Sequence, residues 1–181
     1  MTPVMPHPDA AALLNAPMTA LTALTGAAGG VNDALPAPGL QLVSDPAAVM
    51  DLQWSSPRGR LLELSTTVTT PGKWLLLRLT LDLPDLTDCA GLGFWLRSAA
   101  DPALVMQALL RSGTPDGHVD CVFDRDILSH AASSDHSALM LTDRTPDLPR
   151  QAPWRMFELL LPPWRPVTLA IDALRIFTVP A

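Results

Sequence analysis

Residues 73–83 read Lys73-Trp74-Leu75-Leu76-Leu77-Arg78-Leu79-Thr80-Leu81-Asp82-Leu83. Successive side chains of a strand point to opposite faces of its sheet. On that reading one face carries Leu75, Leu77, Leu79, Leu81 and Leu83, and the other carries Trp74, Leu76, Arg78, Thr80 and Asp82. The same alternation recurs down the chain. Leu92, Phe94 and Leu96 oppose Gly93, Trp95 and Arg97; Met106, Ala108 and Leu110 oppose Gln107 and Arg111. Val119, Cys121 and Phe123 oppose His118, Asp120 and Asp124; Phe157, Leu159 and Leu161 oppose Trp154, Met156 and Glu158. Strands with one apolar and one mixed face mark antiparallel sheets packed over one core.

Along the rest of the chain the spacing predicts strands near 40–44, 48–55, 60–69, 73–83, 91–98, 104–112, 118–125, 138–142, 154–161 and 167–179. Turn signals divide them, among them Ser-Pro-Arg-Gly at 56–59, Thr-Pro-Gly at 70–72 and Gly-Thr-Pro-Asp-Gly at 113–117. Gly and Pro there supply φ angles and missing donors that strand interiors do not tolerate. Short strands with regular turns predict an all-β sandwich or barrel. The longest expected loop runs from Ile127 to Trp154 and holds His130, Asp135, His136, Asp143, Arg144 and Asp147. Residues 39–181 form the predicted sandwich domain. Residues 1–38 are an Ala/Pro-rich tail, flexible or partly helical, in which Asp9 would cap a helix ending before Gly26. A second reading has that helix pack on a partner through Leu13, Leu14, Leu21 and Leu24.

Composition agrees. Of 18 acids 16 are Asp, of 12 bases 11 are Arg, and there are 19 Pro in 181 residues. Glu and Lys clothe exposed helices, whereas Asp and Pro belong to turns. A net charge of −6 argues against a nucleic-acid or polybasic membrane binder. No Lys or Arg precedes Arg58, so neither a secretory signal nor a mitochondrial presequence is read, and cytoplasm is the default location, surface or particle association the other. The apolar stretch 10–31 is broken by Asn15, Pro17 and glycines and makes a poor membrane span. Cys89 and Cys121 are expected as reduced, buried thiols without zinc-ligand spacing.

The mixed face combines Trp74, Trp95 and Trp154 with Arg78, Arg97, Gln107, Arg111, Asp120 and Glu158. Indole rings stack on the apolar faces of sugars, and planar guanidinium and carboxylate groups pair with hydroxyls. The competing reading makes the Trp residues core or loop cover and the Arg/Asp pairs cross-strand salt bridges.

Two segments resemble the jelly-roll carbohydrate-binding modules and galactose-binding-like sandwiches. The first is 73–83 followed by Leu92-Gly93-Phe94-Trp95-Leu96-Arg97-Ser98; the second is 154–162 followed by Val167-Thr168-Leu169-Ala170-Ile171-Asp172-Ala173-Leu174-Arg175-Ile176. The resemblance implies a two-sheet jelly roll over roughly 40–179 and non-catalytic glycan binding. It also implies a structural calcium, for which Asp172 fits the closing-strand ligand and Asp45 or Asp51 the early-strand one.

No phosphate-binding loop, Gly-x-Ser-x-Gly elbow or His-Glu-x-x-His motif is present. His118 with Asp120 and Asp124, and His130 and His136 with Ser129 or Ser134, read as hydrogen-bonded surface groups rather than metal or catalytic sites. The only two Glu, Glu63 and Glu158, are the sole candidates for a glycosidase pair. The expectation is therefore a non-enzymatic module that binds a glycan, such as a bacterial surface or storage polysaccharide, through the mixed face. The alternative is a structural or assembly protein using the same face and the tail for protein contacts or a homo-oligomer. A hydrolase ranks last.

Overall fold

Leu75, Leu77, Leu79 and Leu81 are all buried, at 0–3% exposure, and the strand they define lies inside a two-layer sandwich. The structure, a computed structural model, describes residues 8–30 and 35–181. Its elements in chain order are α1 (Pro8–Ala23), β1 (Ala27–Gly30), β2 (Leu40–Ser44), β3 (Val49–Ser56), β4 (Leu62–Thr70), β5 (Leu75–Leu81) and β6 (Cys89–Ala100). Then come β7 (Leu104–Thr114), β8 (Gly117–Val122), β9 (Ile127–Ser129), β10 (Ser134–Leu141), β11 (Arg155–Leu161) and β12 (Val167–Pro180).

Sheet I has the order β1-β3-β4-β12-β6-β10, and sheet II the order β2-β5-β11-β7-β8, with β9 paired to the start of β7. Every strand pairing is antiparallel. The fold is thus an all-β jelly-roll sandwich. Leucines predominate in its core, and Phe94 of sheet I meets Phe157 of sheet II with ring centroids 5.3 Å apart, Phe123 closing the cluster at 5.0 Å from Phe94.

Two details set the outer faces. In β12 the inward residues are Leu169 and Ile171, then Leu174 and Ile176, so strict alternation breaks. A register shift between Ile171 and Ala173 absorbs the extra residue, a β-bulge. Beyond the bulge, β4 no longer pairs with β12. There Asn15 of α1 takes the place of a strand: its Nδ2 donates to the Ile176 carbonyl and its Oδ1 accepts from the Ile176 N–H, both at 2.9 Å. Leu14, Met18 and Leu21 of α1 are buried in the core that the strands share, while Leu13 and Leu24 are exposed. The side chain of Asp9, the expected cap, lies outside the described residues.

The long loop expected over 127–154 is corrected: it contains β9, and β10 begins four residues before the strand expected near 138–142. β10 is an edge strand whose inward set, Ser134, His136, Ala138 and Met140, is small or polar except at its end, so the apolar period is weak. The cysteines are free, Cys121 buried and Cys89 half-buried. Among the described residues no helix is long and apolar enough to cross a membrane.

Candidate functional site

The nine residues assigned to one mixed face do not share one. Trp74, Arg78, Gln107, Arg111, Asp120, Trp154 and Glu158 belong to sheet II and its flanks. Trp95 and Arg97 lie on β6 of sheet I and point out on the opposite side of the sandwich. Alternation separates inward from outward, but it does not say which sheet a strand joins.

On sheet II the pairing brings Arg78 of β5 opposite Glu158 of β11, and Arg111 of β7 opposite Asp120 of β8. Their side chains form one chain of charge across four strands. Arg78 Nε donates to Glu158 Oε1 at 2.6 Å, and Arg111 Nη1 approaches the same oxygen at 3.6 Å. Arg111 then grips Asp120 with two bonds of 2.7 Å. Glu158 is 1% exposed, and its two guanidinium neighbours compensate the buried charge. The fork from Arg111 holds the Asp120 carboxyl below its usual range. Bidentate pairs of this kind fix planar groups in place, so the centre of the face is preorganised.

Aromatic rings mark both ends. At one end Trp154, 37% exposed, lies against Gly113. A Cβ on that glycine would fall 2.5 Å from Trp154 Nε1 and 2.6 Å from Cε2, so the indole rests directly on the backbone and offers its other side to solvent. At the other end a cleft of about 280 Å³ is lined by Lys73, Trp74, Val105, Gln107, Leu160 and Trp164. Trp164 is 66% exposed. Trp154 and Leu160 are six residues apart, roughly 20 Å along the sheet at ~3.3 Å per residue. Sequence reasoning missed Trp164 because it sits in the turn Pro162-Pro163-Trp164-Arg165-Pro166, where no period operates. It also missed Gly113, which read only as turn punctuation.

The outer face of sheet I carries a separate network. Arg60 pairs with Glu63 and, at 3.3 Å, with Asp172; Arg97 reaches Asp172 at 3.6 Å and Asp135 at 3.7 Å. Ser133 Oγ donates to Asp172 at 2.5 Å. The calcium that the resemblance implies does not fit at Asp172, whose carboxylate already faces two guanidinium groups. Asp45, one expected co-ligand, accepts the N–H groups of Ala47 and Lys73, which hold its carboxyl below the usual range. The other, Asp51, accepts from Gln53. Among the described residues no group of three His, Cys, Asp or Glu is placed to hold a metal ion. Glu63 and Glu158 project outward from different sheets, which are themselves ~10 Å apart, so they do not flank a common bond. Of the histidine sets, Ser134 Oγ meets His136 Nε2 at 3.0 Å, and Ser129 donates instead to Ser98.

No family model and no curated protein matches the sequence. Solved structures do match the fold. A family 4 carbohydrate-binding module aligns with a TM-score of 0.56 at 12% identity, over 92% of this chain and 99% of that one. The CBM22-1 xylan-binding domain from Paenibacillus barcinonensis Xyn10C gives 0.53 at 11%, over 87% and 97%. The N-terminal cellulose-binding domain from Cellulomonas fimi β-1,4-glucanase C gives 0.51 at 14%, over 82% and 93%. The chain has the jelly roll of carbohydrate-binding modules.

Proposed function

We propose that this chain is a non-catalytic module that binds a polysaccharide across the outer face of sheet II. The observation that carries the reading is the order of groups on that face: tryptophans at both ends and, between them, an Arg–Glu–Arg–Asp chain already held in place. Trp164, Trp74 and Trp154 stack on the apolar faces of sugar rings. Arg78, Arg111, Asp120 and Gln107 take hydroxyls with the hydrogen-bonding capacity their own pairs leave over. Glu158, buried beneath Arg78 and Arg111, braces the two arginines and is shielded from acid–base work. The solved structures of similar fold include xylan- and cellulose-binding domains, which sets the ligand class to test first.

The test is affinity electrophoresis through gels containing xylan, mixed-linkage β-glucan or hydroxyethylcellulose. Retardation by at least one polymer is expected, weakened roughly tenfold by Trp164→Ala or Trp74→Ala. Migration untouched by all three polymers defeats the proposal. An assembly role for the same face has one observation in its favour: Val105, which lines the Trp74/Trp164 cleft, and its cross-strand neighbour Leu128 are 53% and 54% exposed. Absence of polymer binding together with a defined oligomer in light scattering would favour that reading.

A further inference from the structure

We propose that the outer face of sheet I is a second glycan platform, so that one chain holds two polysaccharide segments on opposite sides of the sandwich. The ligand class rests on the function proposed for sheet II; the site itself rests on different residues.

Its centre is Phe177. In the β12–β6 ladder Phe177 stands opposite Gly93. A Cβ on Gly93 would fall 2.4 Å from Phe177 Cζ and 2.6 Å from Cε2. The ring therefore lies on the bare backbone of β6, and its residue remains 36% exposed. This is the arrangement of Trp154 on Gly113, repeated on the other sheet. A core ring needs no exposed side, and a solvated sheet face needs no ring; a ring seated on glycine with its upper side open is a stacking surface. In the next rung Trp95 stands between Arg175 and Ser137, with the Arg175 guanidinium 5.8 Å from its ring centroid. One rung further come Arg97 and Asp135, and then Asp172, Arg60 and Glu63.

The charges limit the ligand. Arg60, Arg97 and Arg175 face Glu63, Asp135 and Asp172, and Asp51 on β3 and Asp101 at the groove add two unmatched carboxylates. The face is acidic on balance and turns a polyanion away. What it offers is a ring surface beside planar donors and acceptors, the complement of an uncharged, hydroxyl-rich chain. The same face continues into a shallow groove of about 530 Å³ lined by Gln53, Arg60, Glu63, Ser65, Ala99 and Thr168. Gly93 and Ala99 are six residues apart on β6, roughly 20 Å at ~3.3 Å per residue, enough for several sugar units in line. Two such faces make the module bivalent, and bivalent capture of a polymer cross-links it.

The experiment is isothermal titration of the full chain with a hexasaccharide of whichever polymer retards it (xylohexaose, cellohexaose or a mixed-linkage hexaose), with viscosity of the parent polymer as second readout. The wild type is expected to show two sites per chain and to raise the viscosity. Trp164→Ala and Phe177→Leu are each expected to leave one site and abolish the viscosity rise, and the double variant to bind at neither. Phe177→Leu keeps an apolar contact over Gly93, and Phe177→Ala removes it; loss of one site in both, with unchanged thermal melting, assigns the effect to the ring. A single site in the wild type that disappears with Trp164→Ala overturns this proposal and leaves the sheet II reading standing. A dimer in light scattering that Phe177→Leu dissolves without change in stoichiometry overturns it in favour of a protein interface. No binding to any polymer overturns both readings together.

Discussion

Arg155 is the residue whose removal tests the physical account most directly. Its side chain is fully buried. Nε donates to the Leu83 carbonyl at 2.8 Å, Nη1 to Ser112 Oγ at 2.7 Å, and Nη2 to the carbonyls of Pro149 and Arg150 at 2.7 and 3.0 Å. Burial pushes the guanidinium pKa down, and carbonyl oxygens rather than a bonded carboxylate hold the cation. The side chain thus ties the turn after β5 to β7 and to the segment leading into Trp154. Arg155→Met keeps most of the apolar stem and deletes the donors. Each acceptor left buried without a partner costs about 1–3 kcal/mol, and relief from burying a cation returns part of that. Four orphaned acceptors at that cost, less the returned desolvation of the cation, leave a net loss of about 3–5 kcal/mol. For a chain of this size that is a fall in Tm of about 6–20 °C, at roughly 2–4 °C per kcal/mol. Urea unfolding at 25 °C followed by tryptophan fluorescence, paired with calorimetry, measures both quantities. Arg155→Lys should lose nearly as much, since one ammonium does not reach four divergent acceptors. A loss below about 1 kcal/mol for Arg155→Met would mean that the acceptors find other partners at little cost and that Arg155 is not the tie described.

Three further outcomes are expected. Gly113→Val lifts Trp154 off its seat, so tryptophan emission shifts and polymer retention on sheet II weakens by up to roughly tenfold; unchanged emission would contradict the contact. Asn15→Ala strips both partners from Ile176 at the strand edge, costing about 1–3 kcal/mol, and hydrogen exchange at the Ile176 amide should quicken well before that of Phe94. Hydrogen bonds from Arg111, from the N–H groups of Ala47 and Lys73, and from Thr87 hold the carboxyls of Asp120, Asp45 and Asp85 below their value of 3.8 in free side chains. Their folded pKa values are the lower ones, so their contribution is complete above the unfolded carboxylate range and is lost as pH falls through the folded values. The urea midpoint should decline from about pH 5 downward; a flat profile to pH 3 would count against these pairs.

The strands were readable because their inward residues are large and repeat every second position. β5 is the clear case, and β7, β11 and β12 lie within a few residues of their expected bounds. β9 was not readable, and β10 was readable only in its second half, from about residue 138. A three-residue strand has no period to display, and β10 turns Ser134, His136 and Ala138 inward. The candidate face was only half legible, for a related reason. Arg78 and Glu158 are 80 residues apart in sequence, and alternation announces that each points outward without announcing that they meet. Trp95 and Arg97 have the same pattern and join the other sheet. The flat seating of Trp154 and Phe177 depends on which glycine lies beneath each ring, a fact of register rather than of composition.

The position of β12 has a consequence for how the chain is made. It is the latest strand in sequence, yet it lies between β4 and β6 in the middle of sheet I. Until residues 167–180 leave the ribosome, at roughly 5–20 residues per second, β1-β3-β4 and β6-β10 are two fragments with unpaired edges. Helix α1, synthesised before all twelve strands, has until then no Ile176 to hold. Sheet I and the anchorage of α1 are thus completed in a single late event, in which contacts spanning 161 residues form. Long-range closure of this kind is slow, and the exposed edges before it are where a nascent chain pairs with its neighbours. The strand that carries Phe177 and Arg175 is therefore also the one that closes the fold, and the platform of sheet I exists only once residues 167–180 have joined it.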